Sequence, residues 1–318
     1  MTRAGPAIPV VVSNQPPDGG PALRVAVVSD GRAVEAGPAR PVVVVSDNRP
    51  TQGNDPVPVV ASSGNGYTLA GPPIPVVVVS GSLASNMAYT NKIIALGPIA
   101  YWPQAEASGT IVTDESGNGR NGAYKAAGEP LLGQTGIGDG RTAPLYDGVN
   151  DFANVFSASL QGAFNGAEGT IAIWFKVASA GVWTDATIRR LMYFQVDANN
   201  RARFEKSTTN NQIAAVYTAG GTAKSVLWNN AGPLTWQHLA ITWSKSADQM
   251  KFYANGAQIG STQTGLGTWA GNLASGNTVI GASDSSSGGT PWSGYLAHAA
   301  VWNTALSVAQ IATLAVVP

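Results

Sequence analysis

The chain has no cysteine among its 318 residues, which excludes a disulfide framework and any thiolate-ligated metal centre. Charge is scarce as well. Asp, Glu, Lys and Arg make up 11% of the residues and cancel to a formal net charge of zero. Phosphate backbones are held by clustered Lys and Arg, so this neutrality argues against nucleic acid as a partner. Long apolar runs are also missing: the longest valine runs, Val42–Val45 and Val76–Val79, are four residues long and follow proline. A membrane span needs about 18 such residues. The opening stretch, MTRAGPAIPVVVS, lacks the roughly seven continuous apolar residues of a secretory signal core. The expectation is a protein with no membrane partner and no visible signal peptide.

Bulky side chains are nearly absent from residues 1–88, which hold none of the nine Trp and a single aromatic, Tyr67. In their place stands one phrase written five times: GPAIPVVVS, GPALRVAVVS, GPARPVVVVS, NDPVPVVASS and GPPIPVVVVS. The copies begin at Gly5, Gly20, Gly37, Asn54 and Gly71, at spacings of 15, 17, 17 and 17 residues. A fixed period is the mark of a repetitive element. Val10, Val25, Val42, Val59 and Val76 share one repeat position. β-Branched runs between proline and Ser-Asp or Ser-Gly read as short strands ending in turns, with a weaker return strand at Arg32–Glu35 and Tyr67–Leu69. Continuous valine implies burial on both faces, yet the segment has no bulk to supply that cover itself. Two readings follow. Residues 1–88 form a β-module buried by other copies or by a partner surface, or they form a Pro/Gly-rich linker; the 18 valines in the segment favour the first.

Residues 83–98 connect this segment to the next, and from Tyr101 the composition becomes that of an aromatic-rich globular domain. Tyr89–Leu96 reads as a helical turn or a short strand stopped by Gly97-Pro98. Beyond it, alternating apolar and polar residues, as in Thr170–Val177 and Leu239–Trp243, predict short strands. Asn255-Gly256 predicts a two-residue hairpin, because both residues tolerate positive φ. Ser307 and Gln310 fit a capping box ahead of a final helix. The expected class is all-β: an N-terminal repetitive short-strand module over 1–88 and a two-sheet sandwich over 89–318.

The segments AYWPQAEASGTIVTDESGNGRNGAY, APLYDGVNDFANV, EGTIAIWFKV, WQHLAITWS, MKFYANGAQIGS and PWSGYLAHAAVWNTALSVAQIATL resemble the laminin-G-like, concanavalin-A-type jelly roll, in the order that fold requires. The resemblance implies three things. First, Ca²⁺ at one edge of the sandwich, through Asp114 in DESGNG and Asp147 and Asp151 in DGVND; the alternative is that these aspartates close turns. An acidic pair common near the last strand of relatives is replaced here by Ala297-His298. Second, carbohydrate binding by loop tryptophans, with Trp183, Trp228 and Trp269 as candidates and packing over a sheet edge as the alternative. Third, a fold that also hosts glycosidases. The residues speak against that activity: no G-x-S-x-G, ExDxE or HExxH motif occurs, and His238 reads as a half-exposed strand residue. The chain is expected not to be an enzyme.

Valine-rich repeats ahead of such a head also resemble bacteriophage virion proteins. That resemblance implies a tail or capsid appendage on an extracellular particle. Its partners would be other copies of itself (a trimer, by analogy with fibres), other virion proteins and cell-surface glycans. Alternatives are a decoration protein without a ligand and a secreted carbohydrate-binding module.

Overall fold

The computed structural model describes residues 42–45, 76–79, 89–126, 129–229 and 234–317. The chain divides into two units, Met1–Ala84 and Ser85–Pro318. In the first, the two four-valine runs are strands, β1 (Val42–Val45) and β2 (Val76–Val79). They pair in parallel, with Val42 opposite Val76 and Val45 opposite Val79. Equivalent positions two repeats apart therefore face each other, as a period of constant length allows. The remaining repeat strands expected at Val10, Val25 and Val59, and the weaker ones at Arg32–Glu35 and Tyr67–Leu69, lie outside the described residues.

The second unit is an all-β sandwich of two mainly antiparallel sheets. The first sheet runs β16 (Ala257–Gln263), β15 (Gln249–Ala254), β14 (Gln237–Ser244), β9 (Glu168–Val177), β18 (Ser293–Trp302), β7 (Thr142–Asp147) and β6 (Leu131–Thr135), with β3 (Ala100–Trp102) also on β18. The second runs β13 (Thr222–Trp228), β12 (Ile213–Ala219), β11 (Asn200–Lys206), β10 (Arg189–Asp197), β17 (Thr278–Ile280), β8 (Ala153–Asn154), β5 (Gly122–Tyr124) and β4 (Ile111–Val112). Period-two alternation places Ile171, Ile173 and Phe175 of β9 between the sheets with Phe204 of β11 and Tyr217 of β12.

β9, β14 and β18 are buried along most of their length because the first sheet is covered on its outer face as well. Residues 89–94 form a helix, α1, and Val308–Leu314 form another, α4; the short α2 (Ala158–Ala163) and α3 (Ala180–Thr184) lie between them in sequence. Tyr89 and Ile93 of α1 and Ile311 and Leu314 of α4 pack with Trp174, Ala240 and Ala297 in a second apolar cluster. The Tyr89 hydroxyl donates to the Leu314 carbonyl at 2.7 Å and ties the two helices together. Gly97, with φ +64, ends the turn after α1. The capping box at α4 is formed, Ser307 accepting from the Gln310 amide and the Gln310 side chain accepting from Ser307. Asn255 and Gly256 have φ of 49 and 81 between the paired Ala254 and Ala257, the geometry a two-residue hairpin demands.

Candidate functional site

Asp114 closes a turn. Its Oδ1 accepts from the Tyr101 and Ser116 amides, and its Oδ2 from the Ser116 hydroxyl and the Arg120 amide, all within 2.8–2.9 Å. Asp147 and Asp151 lie together at the end of β7. Asp147 Oδ1 accepts from the Val149 and Asn150 amides, and Asp151 Oδ2 accepts from the Asp147 amide. Burial, with the Asp147 charge beside it, raises the Asp151 carboxyl to about 6. Calcium asks for six to eight oxygens. Among the described residues no three acidic or histidine side chains gather into a group that could hold a metal. The structure brings Asp147 and Asp151 together and gives all three aspartates turn-closing hydrogen bonds, the arrangement that the alternative reading expects.

The three loop tryptophans separate in the same way. Trp183 is 2% exposed, lies in the short helix α3 (Ala180–Thr184) and meets Phe175 edge-on at 6.1 Å. Trp228 ends β13 at 7% exposure within the inter-sheet core. Neither presents an open ring face on which a sugar could stack, because each sits on the inward side of its element. Trp269 is half-buried, with its ring stacked on Tyr217 at 5.9 Å and pressed so closely on Gly166 that a Cβ there would meet it at 2.1 Å. It alone of the three keeps exposed surface.

Another constellation arises on the outer face of the second sheet. In β11 the sequence Arg201-Ala202-Arg203-Phe204-Glu205 alternates with period two. Ala202 and Phe204 enter the core, and the two arginines and the glutamate face away from it. Register sets their neighbours: Arg190 of β10 lies opposite Glu205 and Tyr193 opposite Arg203. On the other side Val216 of β12 lies opposite Arg203 and Thr218 opposite Arg201. Glu205 Oε2 accepts from Arg203 Nε at 2.7 Å and also pairs closely with Arg190 Nη1. The Arg190 guanidinium lies over the Tyr193 ring, 5.6 Å from its centroid.

One carboxylate thus pairs with two of three neighbouring cations. The Nε of Arg190, the Nε of Arg201, the Nη1 of Arg203 and the Oγ1 of Thr218 are buried without a hydrogen-bond acceptor among the described residues. Arg203 as a whole is 9% exposed. Burial, then the charges of Arg190 and Arg201, pull the Arg203 guanidinium down to about 9; burial and Arg201 pull Arg190 to about 10. Both remain cationic at neutral pH. Buried donors left without acceptors are costly, and like charges add to the cost. Sequence reasoning passed over these residues as ordinary strand. The available signal was R-x-R-x-E, three charges at period two on one face of a strand whose other face is apolar.

The sequence profile of the concanavalin A-like lectin/glucanases superfamily matches residues 147–312, more than half of the chain. The chain belongs to this superfamily. Among curated proteins none matches it in sequence. Solved structures similar to this concanavalin A-like chain include the binding domain of botulinum neurotoxin serotype D, at 14% identity and TM-score 0.50, covering 69% of this chain and 51% of that one. The same toxin's ligand-binding domain in complex with N-acetylneuraminic acid aligns at 13% identity and TM-score 0.51, covering 71% and 52%. Domain 4 of AbnA, an extracellular arabinanase from Geobacillus stearothermophilus, in complex with arabinotriose, aligns at 17% identity and TM-score 0.49, covering 69% and 98%. This chain thus spans about half of the toxin domains. At such identities the likeness is one of fold.

Both histidines of this concanavalin A-like domain are buried, which corrects the half-exposed reading of His238. It is 2% exposed, with its Nδ1 lacking a partner among the described residues. Burial, with His298 nearby, drops its pKa from 6.5 to about 3. The unfolded chain therefore takes up a proton near pH 6.5 while the folded one stays neutral to about pH 3. Stability from this site is full above 6.5 and lost as pH falls toward 3, by about 1.4 kcal/mol per pH unit. His298 and Asp139, both shifted down, act in the same direction, whereas Asp151, shifted up, opposes them. His238→Phe keeps the ring contact with Trp174 (5.3 Å) and removes the titration. Urea midpoints at pH 7 and pH 4 should then differ less for the variant than for the parent protein; equal differences would refute the buried neutral imidazole.

Proposed function

We propose that the jelly roll is a non-catalytic glycan-binding head, with its ligand on the outer face of β10–β12. The observation that carries this reading is the set of buried donors without acceptors on Arg190, Arg201, Arg203 and Thr218, around the ring of Tyr193. Sugar hydroxyl and ring oxygens are acceptors, and few sharply placed polar groups on an apolar surface is how such sites are built. Leu227 of β13, 46% exposed and opposite Ala214 beside Glu205, supplies apolar surface there. The occurrence of this fold in a toxin domain in complex with N-acetylneuraminic acid agrees with the reading. Hydrolysis is disfavoured on the same face: a glycosidase needs two carboxylates some 5 to 10 Å apart across the scissile bond, and Glu205 is already held by two arginines.

The repeats complete the proposal. Several copies, held together and to an extracellular virion particle through residues 1–88, present several heads at once. Millimolar contacts then become effective attachment through avidity. The test is a glycan array probed with the full chain, with the eluate assayed for released saccharide. Retention without turnover is the expected result. Turnover, or no retention on any glycan, would overturn it.

A further inference from the structure

Resting on that glycan-binding reading, we infer that the face formed by Arg190, Arg201 and Arg203 takes an acidic sugar, and that the group it recognises is a carboxylate seated at Arg201 and Arg203.

The argument is one of charge and valence. Three guanidiniums lie on neighbouring strands with one carboxylate among them, and Glu205 is engaged by Arg190 Nη1 and Arg203 Nε. Arg203 Nη1 and Arg201 Nε are left over, with the Thr218 hydroxyl beside Arg201 in the ladder. A neutral sugar supplies acceptors to these donors but leaves two cations uncompensated in a largely desolvated place. A carboxylate answers both needs, because its two oxygens match the planar donor fork of arginine and the hydrogen bonds are charge-assisted. The side chains of Arg190 and Arg203 are 14% and 10% exposed, a narrow edge from which a ligand approaches. A carboxylate on a compact ring reaches such an edge, whereas an extended polyanion needs a broad basic stripe rather than three arginines on two strands.

Glu205 then acquires a second role. Held by two arginines through Oε2, it fixes the positions of their guanidinium groups. Leu227, 46% exposed and paired with Ala214 beside Glu205, offers apolar contact for the C–H side of the ring.

The test uses the full chain with 3′-sialyllactose, a galacturonic acid oligosaccharide, lactose, a sulfated lactose, and N-acetylneuraminic acid as the free acid and the methyl ester. Titration calorimetry should show the two carboxylated glycans binding at least tenfold tighter than lactose, and the methyl ester losing most of the affinity of the free acid. Arg201→Gln, at a half-buried side chain, and Arg203→Gln should each weaken the acidic glycans at least tenfold, with thermal unfolding confirming that both variants fold. Binding of neutral glycans that neither substitution alters would overturn the acidic-sugar assignment while leaving the glycan-binding reading standing. Preference for the sulfated sugar would overturn the carboxylate assignment. Failure of every glycan to bind would remove the glycan-binding reading itself.

Discussion

Trp243→Ala should unfold at a midpoint roughly 10 °C below the parent protein. Trp243 leaves β14 on the first sheet and stacks on Tyr217 of β12 on the second, ring centroids 5.4 Å apart and 21° from parallel. Phe164 lies against it at 6.2 Å. The indole N–H donates to the Gly166 carbonyl at 2.9 Å, and the Tyr217 hydroxyl donates to the same oxygen at 2.8 Å. A Cβ on Gly169 would come within 2.6 Å of the indole, so the neighbouring strand is fitted to this ring. Truncation opens a cavity between the sheets and leaves the carbonyl one donor short. Such changes cost about 3–5 kcal/mol, and a domain of this size loses about 2–4 °C per kcal/mol. Calorimetry and urea unfolding both read the effect. A loss below about 1 kcal/mol would show that the two sheets do not depend on this stack.

The second large effect is expected on the far side of the first sheet. His298 Nε2 lies 3.2 Å from Asp139 Oδ2, and its Nδ1 shares a 2.7 Å hydrogen bond with the Tyr101 hydroxyl. The Tyr89 ring of α1 stands edge-on to the imidazole at 4.8 Å. Both His298 and Asp139 are buried, and burial keeps the imidazole neutral while Asp139 stays ionised. His298→Leu removes one partner from a buried carboxylate that also accepts from the Arg141 amide, for which about 1–3 kcal/mol is the usual loss. The left-handed backbone at φ +53 carries the same Cβ cost for leucine as for the native histidine. That cost is common to every variant, so it cancels in a cycle with Asp139→Ala. The double variant should recover much of the loss, because no carboxylate is then left in the interior. Simple additivity of the two substitutions would refute the pairing.

The sandwich was legible because its signals are local. Alternation in Thr170–Val177 and Leu239–Trp243, the Asn255-Gly256 turn and the Ser307–Gln310 box each depend on a handful of adjacent residues, and each is formed as the sequence implies. The candidate site was not legible in the same way. Trp183 and Trp228 stand in polar, loop-like surroundings in the sequence, yet which side of a strand or short helix faces the core is decided by neighbours far along the chain. Asp114 reads in the sequence as either a ligand or a turn residue, and its four donors, from Tyr101, Ser116 and Arg120, come together only in the fold.

What the order of residues determined alone is the periodic valine phrase, the all-β class of the head and its superfamily, since hydrophobic period and turn chemistry act over short distances. What only tertiary structure decided is where charge gathers. Arg190, Arg201 and Arg203 become a cluster through the antiparallel pairing of β10 with β11, and Asp139 meets His298 only because a loop before β7 closes over β18. Electrostatic neighbourhoods follow distance in space, and the sheet register sets that distance.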